Sequence, residues 1–287
     1  MEDRKALSMM TASLLIVGTI GLLRRYIPLS SAMLAFLRGV IGAVSLVVFS
    51  LAARKNITSR VTARKLVLMI LTGAAVGINW MLLFQAYNYT TIAKATLAYY
   101  MQPTIIVLVS PLVFKERLTV RKAICAAVAL FGMVLVSGVL DPNEAGSGEL
   151  TGILYGLGAA GFYSLVIILN KQVDDVDPFQ KTIIQLSAAA AVLLPYLLAK
   201  HEFTTQELAA NTAVLVLIAG VVHTGLAYIL YFTSMNRLKA QTVSFLSYID
   251  PVTAMLVSAL VLHEGMTTGS LIGAVLIIGS AAAIVLH

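Results

Sequence analysis

Ten apolar stretches, each about 20 residues long, follow one another along the chain: 6–23, 31–53, 65–88, 91–114, 120–140, 150–170, 179–199, 211–235, 240–262 and 268–286. A helix of that length crosses the roughly 30 Å hydrocarbon core of a bilayer. Inside that core every backbone polar group must be satisfied internally, which leaves helices or a closed barrel. A barrel needs strands of alternating polarity, about ten residues each, and the sequence has no such pattern. Composition agrees: 59% of residues are hydrophobic and 11% charged, against roughly 45–50% and 25% in soluble domains. The expectation is an all-α integral membrane protein with ten transmembrane helices. Arg4 and Lys5 precede the first stretch as they would in a signal peptide. No small-residue cleavage pattern follows, so that stretch reads as a retained helix. The single cysteine, Cys125, excludes an internal disulfide.

Charge sets the expected topology. Of the 20 Lys and Arg residues, 15 fall at the N-terminus or in even-numbered loops, while Arg24, Arg25 and Lys200 alone fall on the other side. Arg38 and Lys94 lie within spans. Lys and Arg accumulate in cytoplasmic loops, so both termini are expected in the cytoplasm, with the protein in the cell membrane. The net charge of +7 then reads as a topology signal with lipid headgroups as partners, not as a nucleic-acid footprint.

The chain also resembles itself at an offset of 148 residues. "YMQPTIIVLVSPLVFKERLT" (100–119) falls on "YIDPVTAMLVSALVLHEGMT" (248–267) without a gap, and Gly77, Phe84 and Asn88 fall on Gly225, Phe232 and Asn236. The units are 1–140 and 150–287, joined by a linker, 141–149, expected on the outer side. Five helices per unit is an odd number, so the second unit enters the membrane inverted. Its "HEGMTTGS" has lost every Lys and Arg of the matching "KERLTVRK", as an outer loop should. Inverted repeats are an architecture of secondary transporters; a purely structural duplication is the alternative.

Two five-helix units with a Pro-containing fourth helix and a Gly/Ala-rich fifth resemble the EamA-type branch of the drug/metabolite transporter superfamily. The carrying residues are "YTTIAKATLAYYMQPTIIVLVSPLVFKERLT" and "RLKAQTVSFLSYIDPVTAMLVSALVLHEGMT". The resemblance implies ten helices, cytoplasmic termini and transport of small metabolites or drugs, often as export. The family often has Trp in the first helix of each unit; here Gly18 and Phe162-Tyr163 hold those places.

Polar residues deep in the spans are the candidate site. Asp250, before Pro251, falls near the midplane of the ninth span. A charge there costs at least about 2.5–3.5 kcal/mol and calls for a cavity or a partner. It reads as a substrate or proton site, or as a carboxyl that locks helices. Its repeat partner is Gln102, before Pro103. Helical spacing adds Tyr99 and Thr96 to Gln102, and Ser247 and Ser244 to Asp250, as two polar stripes; interhelical hydrogen bonding explains them equally well. Trp80, Tyr99, Tyr100, Tyr228, Tyr231 and Tyr248 crowd the same region and suit an ammonium group, or packing. Asn79 and His223 are further candidates. Arg38 fits a substrate carboxylate, or it snorkels or binds a helix C-terminal carbonyl. Pro103 and Pro251 are candidate hinges. Lys94 reads as snorkelling, and Glu116 and Glu264 as structural at the turns before the fifth and tenth helices.

No nucleotide loop, metal cluster or hydrolase motif is present in the sequence, so no enzyme, metal or cofactor is expected, and proton coupling stays open. The reading is a secondary or facilitative transporter of small metabolites, with amino acids or organic amines and export favoured. Multidrug efflux of organic cations is the alternative within transport, and a membrane scaffold or receptor is the rival outside it. The quaternary state is left as monomer or homodimer.

Overall fold

The computed structural model describes residues 4–54, 61–113, 119–136, 148–173, 176–203, 209–235, 237–238 and 246–285. They form α1 (Arg4–Gly18), α2 (Ile20–Arg25), α3 (Ser31–Ala52), α4 (Ala63–Tyr89), α5 (Ile92–Tyr99), α6 (Gln102–Val113), α7 (Val120–Val136), α8 (Glu149–Asn170), α9 (Pro178–Ala199), α10 (Ala210–Leu217), a π-helix (Ile218–Leu226), α11 (Ala227–Met235), α12 (Ile249–Leu260) and α13 (Thr268–Val285). Seven helical segments are long and apolar enough to cross a bilayer, and α12 and α13 are shorter apolar helices. The ninth expected span begins at 240, and residues 239–245 lie outside the described ones. Glu116, Ser244 and most of the linker 141–149 lie outside them too.

Start signals are local. Ser30, Thr62 and Thr91 accept from the amides of Met33, Lys65 and Lys94, and Asp177 from Phe179 and Gln180. Each satisfies an amide that has no partner within its helix. The outer surface of the bundle is greasy. Val44, Val48 and Leu51 of α3 and Leu66, Val67 and Leu71 of α4 are exposed, as suits a hydrocarbon solvent.

Helix pairings recur with the two halves exchanged. α4 packs on α8, and α11 on α1; α4 packs on α9, and the π-helix on α3; α5 packs on α8, and α12 on α1. α7 packs on α13, and α5 on α12, as self-related pairs. Lipid tails are as apolar as leucine, so close backbone approach must supply much of this association. A Cβ at Gly73 would lie 2.3 Å from the Gln185 carbonyl oxygen, and one at Gly77 lies 2.8 Å from that of Ala189. Gly225, the repeat partner of Gly77, meets Ser45 Cβ at 2.6 Å in the exchanged interface.

The fourth and first spans are not the continuous helices expected. The fourth breaks at Tyr100–Met101, two residues before Pro103. Pro103 and Pro251 then sit in the first turn of α6 and α12, where a missing amide costs nothing. The first breaks at Thr19, whose hydroxyl donates to the Ile16 carbonyl at 2.7 Å.

Gly73→Ala should lower the stability of the purified protein by about 1–3 kcal/mol, because α9 must move to admit the methyl group. Gly161→Ala, with no atom within 4 Å of the added carbon, should leave stability unchanged or slightly raised. Thermal unfolding in detergent compares the two.

Candidate functional site

A cavity of about 360 Å³ lies on the seam between the two halves. Five pairs of lining residues are related by the 148-residue offset: Gln102 and Asp250, Tyr99 and Ser247, Trp80 and Tyr228, Leu83 and Tyr231, Arg38 and Leu186. The cavity is therefore the place where the halves meet.

Among the described residues that line it, Asp250 is the single carboxylate and Arg38 the single cation. The Tyr100 hydroxyl donates to Asp250 Oδ2 at 2.8 Å and lies 3.3 Å from the Ser247 carbonyl oxygen. Tyr100 is the repeat partner of Tyr248, so one half's tyrosine orients the other half's carboxylate. Tyr99 packs edge-on to both Tyr100 and Tyr163, with centroids 5.7 and 5.5 Å apart. Tyr228 and Tyr231 pack on Phe232 on another wall.

Arg38 is 4% exposed. Its Nε donates to Thr224 Oγ1 at 2.7 Å and its Nη2 to the His223 carbonyl at 3.2 Å. Its guanidinium lies over Trp80, 4.2 Å from the ring centroid. The π-helix makes this possible. Its wider turn changes which carbonyls the backbone ladder uses, and Thr224 instead donates back five residues to the Ala219 carbonyl at 3.2 Å. Of the two readings of Arg38, the helix carbonyl is occupied, and the side chain also lines the cavity.

Gln102 Oε1 is buried and has no hydrogen-bond donor among the described residues. The Ser164 hydroxyl, which donates to the Ala160 carbonyl at 2.8 Å, lies 3.2 Å from the Gln102 carbonyl oxygen in the first turn of α6. Thr96, Tyr99 and Gln102 line the cavity across the Tyr100–Met101 break, and Ser247 and Asp250 line it as well.

Three candidates fall elsewhere. Asn79 Nδ2 donates to the Ala159 carbonyl at 2.6 Å, tying α4 to α8. His223 Nε2 lies 3.0 Å from Thr19 Oγ1, beside the break in the first span. Tyr248 sits half-buried in the turn before α12, outside the lining. Conversely Tyr100, Tyr87, Tyr163 and the Gln185–Asn170 pair, bonded at 2.7 Å, belong to the lining. Tyr100 was among the aromatics that the sequence places in this region; Tyr87, Gln185 and Asn170 carried no signal there.

One expectation needs correction. Lys94 does not snorkel: it is 3% exposed and pairs with Glu149 at 2.5 Å, because α8 brings a carboxylate to the start of α5. Glu264, in the turn before α13, does have structural partners, and they lie on other helices as well as on α12. Its carboxylate accepts from Arg25 at 2.6 Å, from the Ile92 amide at 3.0 Å and from Ser258 at 2.5 Å. It thus staples the end of α12 to α2 and to the start of α5.

Comparison with known proteins fits this two-unit layout. The sequence profile of the EamA-like transporter family matches residues 4–138 and again 150–286. The uncharacterized transporter YxxF of Bacillus subtilis is 25% identical over 254 residues, spanning 88% of this chain and 81% of that protein. An uncharacterized transporter of Vibrio cholerae is 32% identical over 214 residues, 72% of this chain and 66% of that one. A solved crystal structure superposes with a TM-score of 0.66, 22% identity, and coverage of 98% of this chain and 96% of that one, which shows a shared fold.

Thr224→Val removes the acceptor of a buried guanidinium and should cost about 1–3 kcal/mol. Thr224→Ser should restore most of it. The apparent melting temperatures of the three proteins, measured side by side, read this out.

Proposed function

The chain belongs to the EamA-like transporter family, and from that premise we propose that it carries small ammonium-bearing metabolites, amino acids foremost, through the seam cavity by alternating access. One observation carries the reading: Asp250, the single lining carboxylate among the described residues, shares the cavity with a wall of tyrosines and with a Gln102 oxygen that has no donor among those residues. An ammonium group bonds a carboxylate strongly, takes cation–π attraction from Tyr or Trp faces, and supplies the donor that Gln102 needs. Arg38 argues for a zwitterion over a plain organic cation. The lining carries one charge of each sign, so a ligand with one of each leaves the cavity neutral.

The exchanged helix pairings support two units related by inversion; the ten apolar stretches support ten spans, and the Lys and Arg excess in even-numbered loops supports cytoplasmic termini. The breaks beside Pro103 and Pro251 are the hinges of this scheme. The Glu264 staple holds the outer end shut, and its release is the outward-opening step. Export is the direction the family resemblance implies. Whether a proton accompanies the substrate turns on Asp250, the one lining group able to exchange it for an ammonium.

In proteoliposomes, counterflow of labelled amino acids and amines identifies the substrate. Asp250→Asn should cost on the order of 2–5 kcal/mol in binding, at least a thirtyfold loss, with folding retained. Undiminished flux in Asp250→Asn sinks the reading and favours a substrate held at Arg38. Flux of no amine or amino acid by the wild type favours a scaffold.

Glu264→Gln should raise the rate at which Ser247→Cys, in a Cys125→Ser background, is labelled from outside by an impermeant maleimide. An unchanged rate would show that the staple does not limit opening.

A further inference from the structure

The positive-inside count leaves one pair of basic residues on the depleted side, Arg24-Arg25 at the end of α2, and the central cavity uses neither. Arg25 is accounted for by Glu264. Arg24 is not. It is 8% exposed. Its Nη1 donates to the Ile27 carbonyl at 2.8 Å and its Nη2 to Asn88 Oδ1 at 3.0 Å, both neutral acceptors. Its Nε has no acceptor among the described residues. Buried cations are ordinarily paired with an anion, because desolvating the charge is costly.

Arg24 lines a second cavity, of about 210 Å³, with Arg25, Tyr87 and Asn88. Asn88 is itself fixed, its Nδ2 lying 3.2 Å from Gln85 Oε1 and 3.3 Å from Ser31 Oγ. The wall thus presents two guanidinium groups and no carboxylate among its described residues; Glu264, which pairs with Arg25, is already engaged by three donors. Arginine suits oxyanions because its planar fork matches two oxygens at once.

We infer that this second cavity is an oxyanion-binding site, separate from the central one, which takes a carboxylate or phosphate group on Arg24 and Arg25. Tyr87 lines both cavities, so an anion here sits behind one shared wall from the central site, on its closed side. A free anion and the phosphate of a lipid headgroup present the same oxygens to the two arginines.

The test is a thermal-shift titration of purified protein with inorganic phosphate and with acetate, against chloride at equal ionic strength. Phosphatidylglycerol in mixed micelles is titrated in parallel. A saturable rise in melting temperature is expected, weakened at least tenfold by Arg24→Gln and retained in Asp250→Asn. If Arg24→Gln fails to fold, Arg24→Lys keeps the charge without the fork and should weaken binding several-fold. A shift with phosphate or acetate assigns a soluble anion. A shift with phosphatidylglycerol alone, lost in the Arg24 variant, assigns a lipid phosphate. No wild-type shift with any of the three, or equal shifts in the Arg24 variants, overturns the site. Loss of the shift in Asp250→Asn would merge it with the central cavity and overturn its separateness.

Discussion

A backbone carbonyl in hydrocarbon has no water to turn to, and the arrangement of this bundle follows from where its helices leave carbonyls to be served by side chains. Regular helix consumes its own carbonyls. Four interruptions do not: Thr19 in the first span, Tyr100–Met101 in the fourth, the π-helix in the eighth and the turn before α12 in the ninth. All four lie beside the central cavity. Each has a side chain against a nearby carbonyl: Thr19 at Ile16, Ser164 at Gln102, Arg38 at His223, and Tyr100 beside Ser247. Irregular backbone at membrane depth is tolerated where it lines a cavity or is buried in protein. Two of the groups that repair the helices here, Arg38 and Tyr100, also line the cavity, so repair and binding share those side chains.

The same economy applies to charge. Arg38 is held by a threonine, a carbonyl and an aromatic face rather than by Asp250, so neither lining charge neutralises the other directly. Asp250 in turn takes a phenolic hydrogen bond. A direct ion pair would have satisfied both and left little for a ligand to do. Keeping the two charges on separate neutral partners preserves a dipolar cavity.

Span positions were legible because they rest on composition and caps. The third span runs Ala63–Tyr89 against an expected 65–88, and the seventh Pro178–Ala199 against 179–199. The repeat offset was legible too, and it picked out pairs that line one cavity: Gln102 and Asp250, Trp80 and Tyr228. What could not be read was anything decided between distant spans. Lys94 finds Glu149 from 55 positions away, and Glu264 finds Ile92 from 172. Nothing in the local sequence of either names its partner. The π-helix carries no compositional mark, since Gly220 and Gly225 read equally as packing residues. Asn79 was polar, central and well spaced, yet its amide joins two helices, because an interhelical hydrogen bond and a binding group look alike in one dimension.

Gly18 shows how far a single departure reaches. The resemblance places a bulky aromatic in the first helix of each unit, and here the first unit has none. A Cβ at Gly18 would lie 2.8 Å from the Asp250 carbonyl oxygen and 2.7 Å from Thr253 Cβ, so no side chain fits. α1 lies directly on α12 at the level of the carboxylate, and the second unit supplies Tyr163 to the cavity instead. The loss of a side chain in one unit brings two helices from opposite units together. Since close packing supplies much of helix association in lipid, the contact at Gly18 ties α1 to α12 directly beside the central carboxylate.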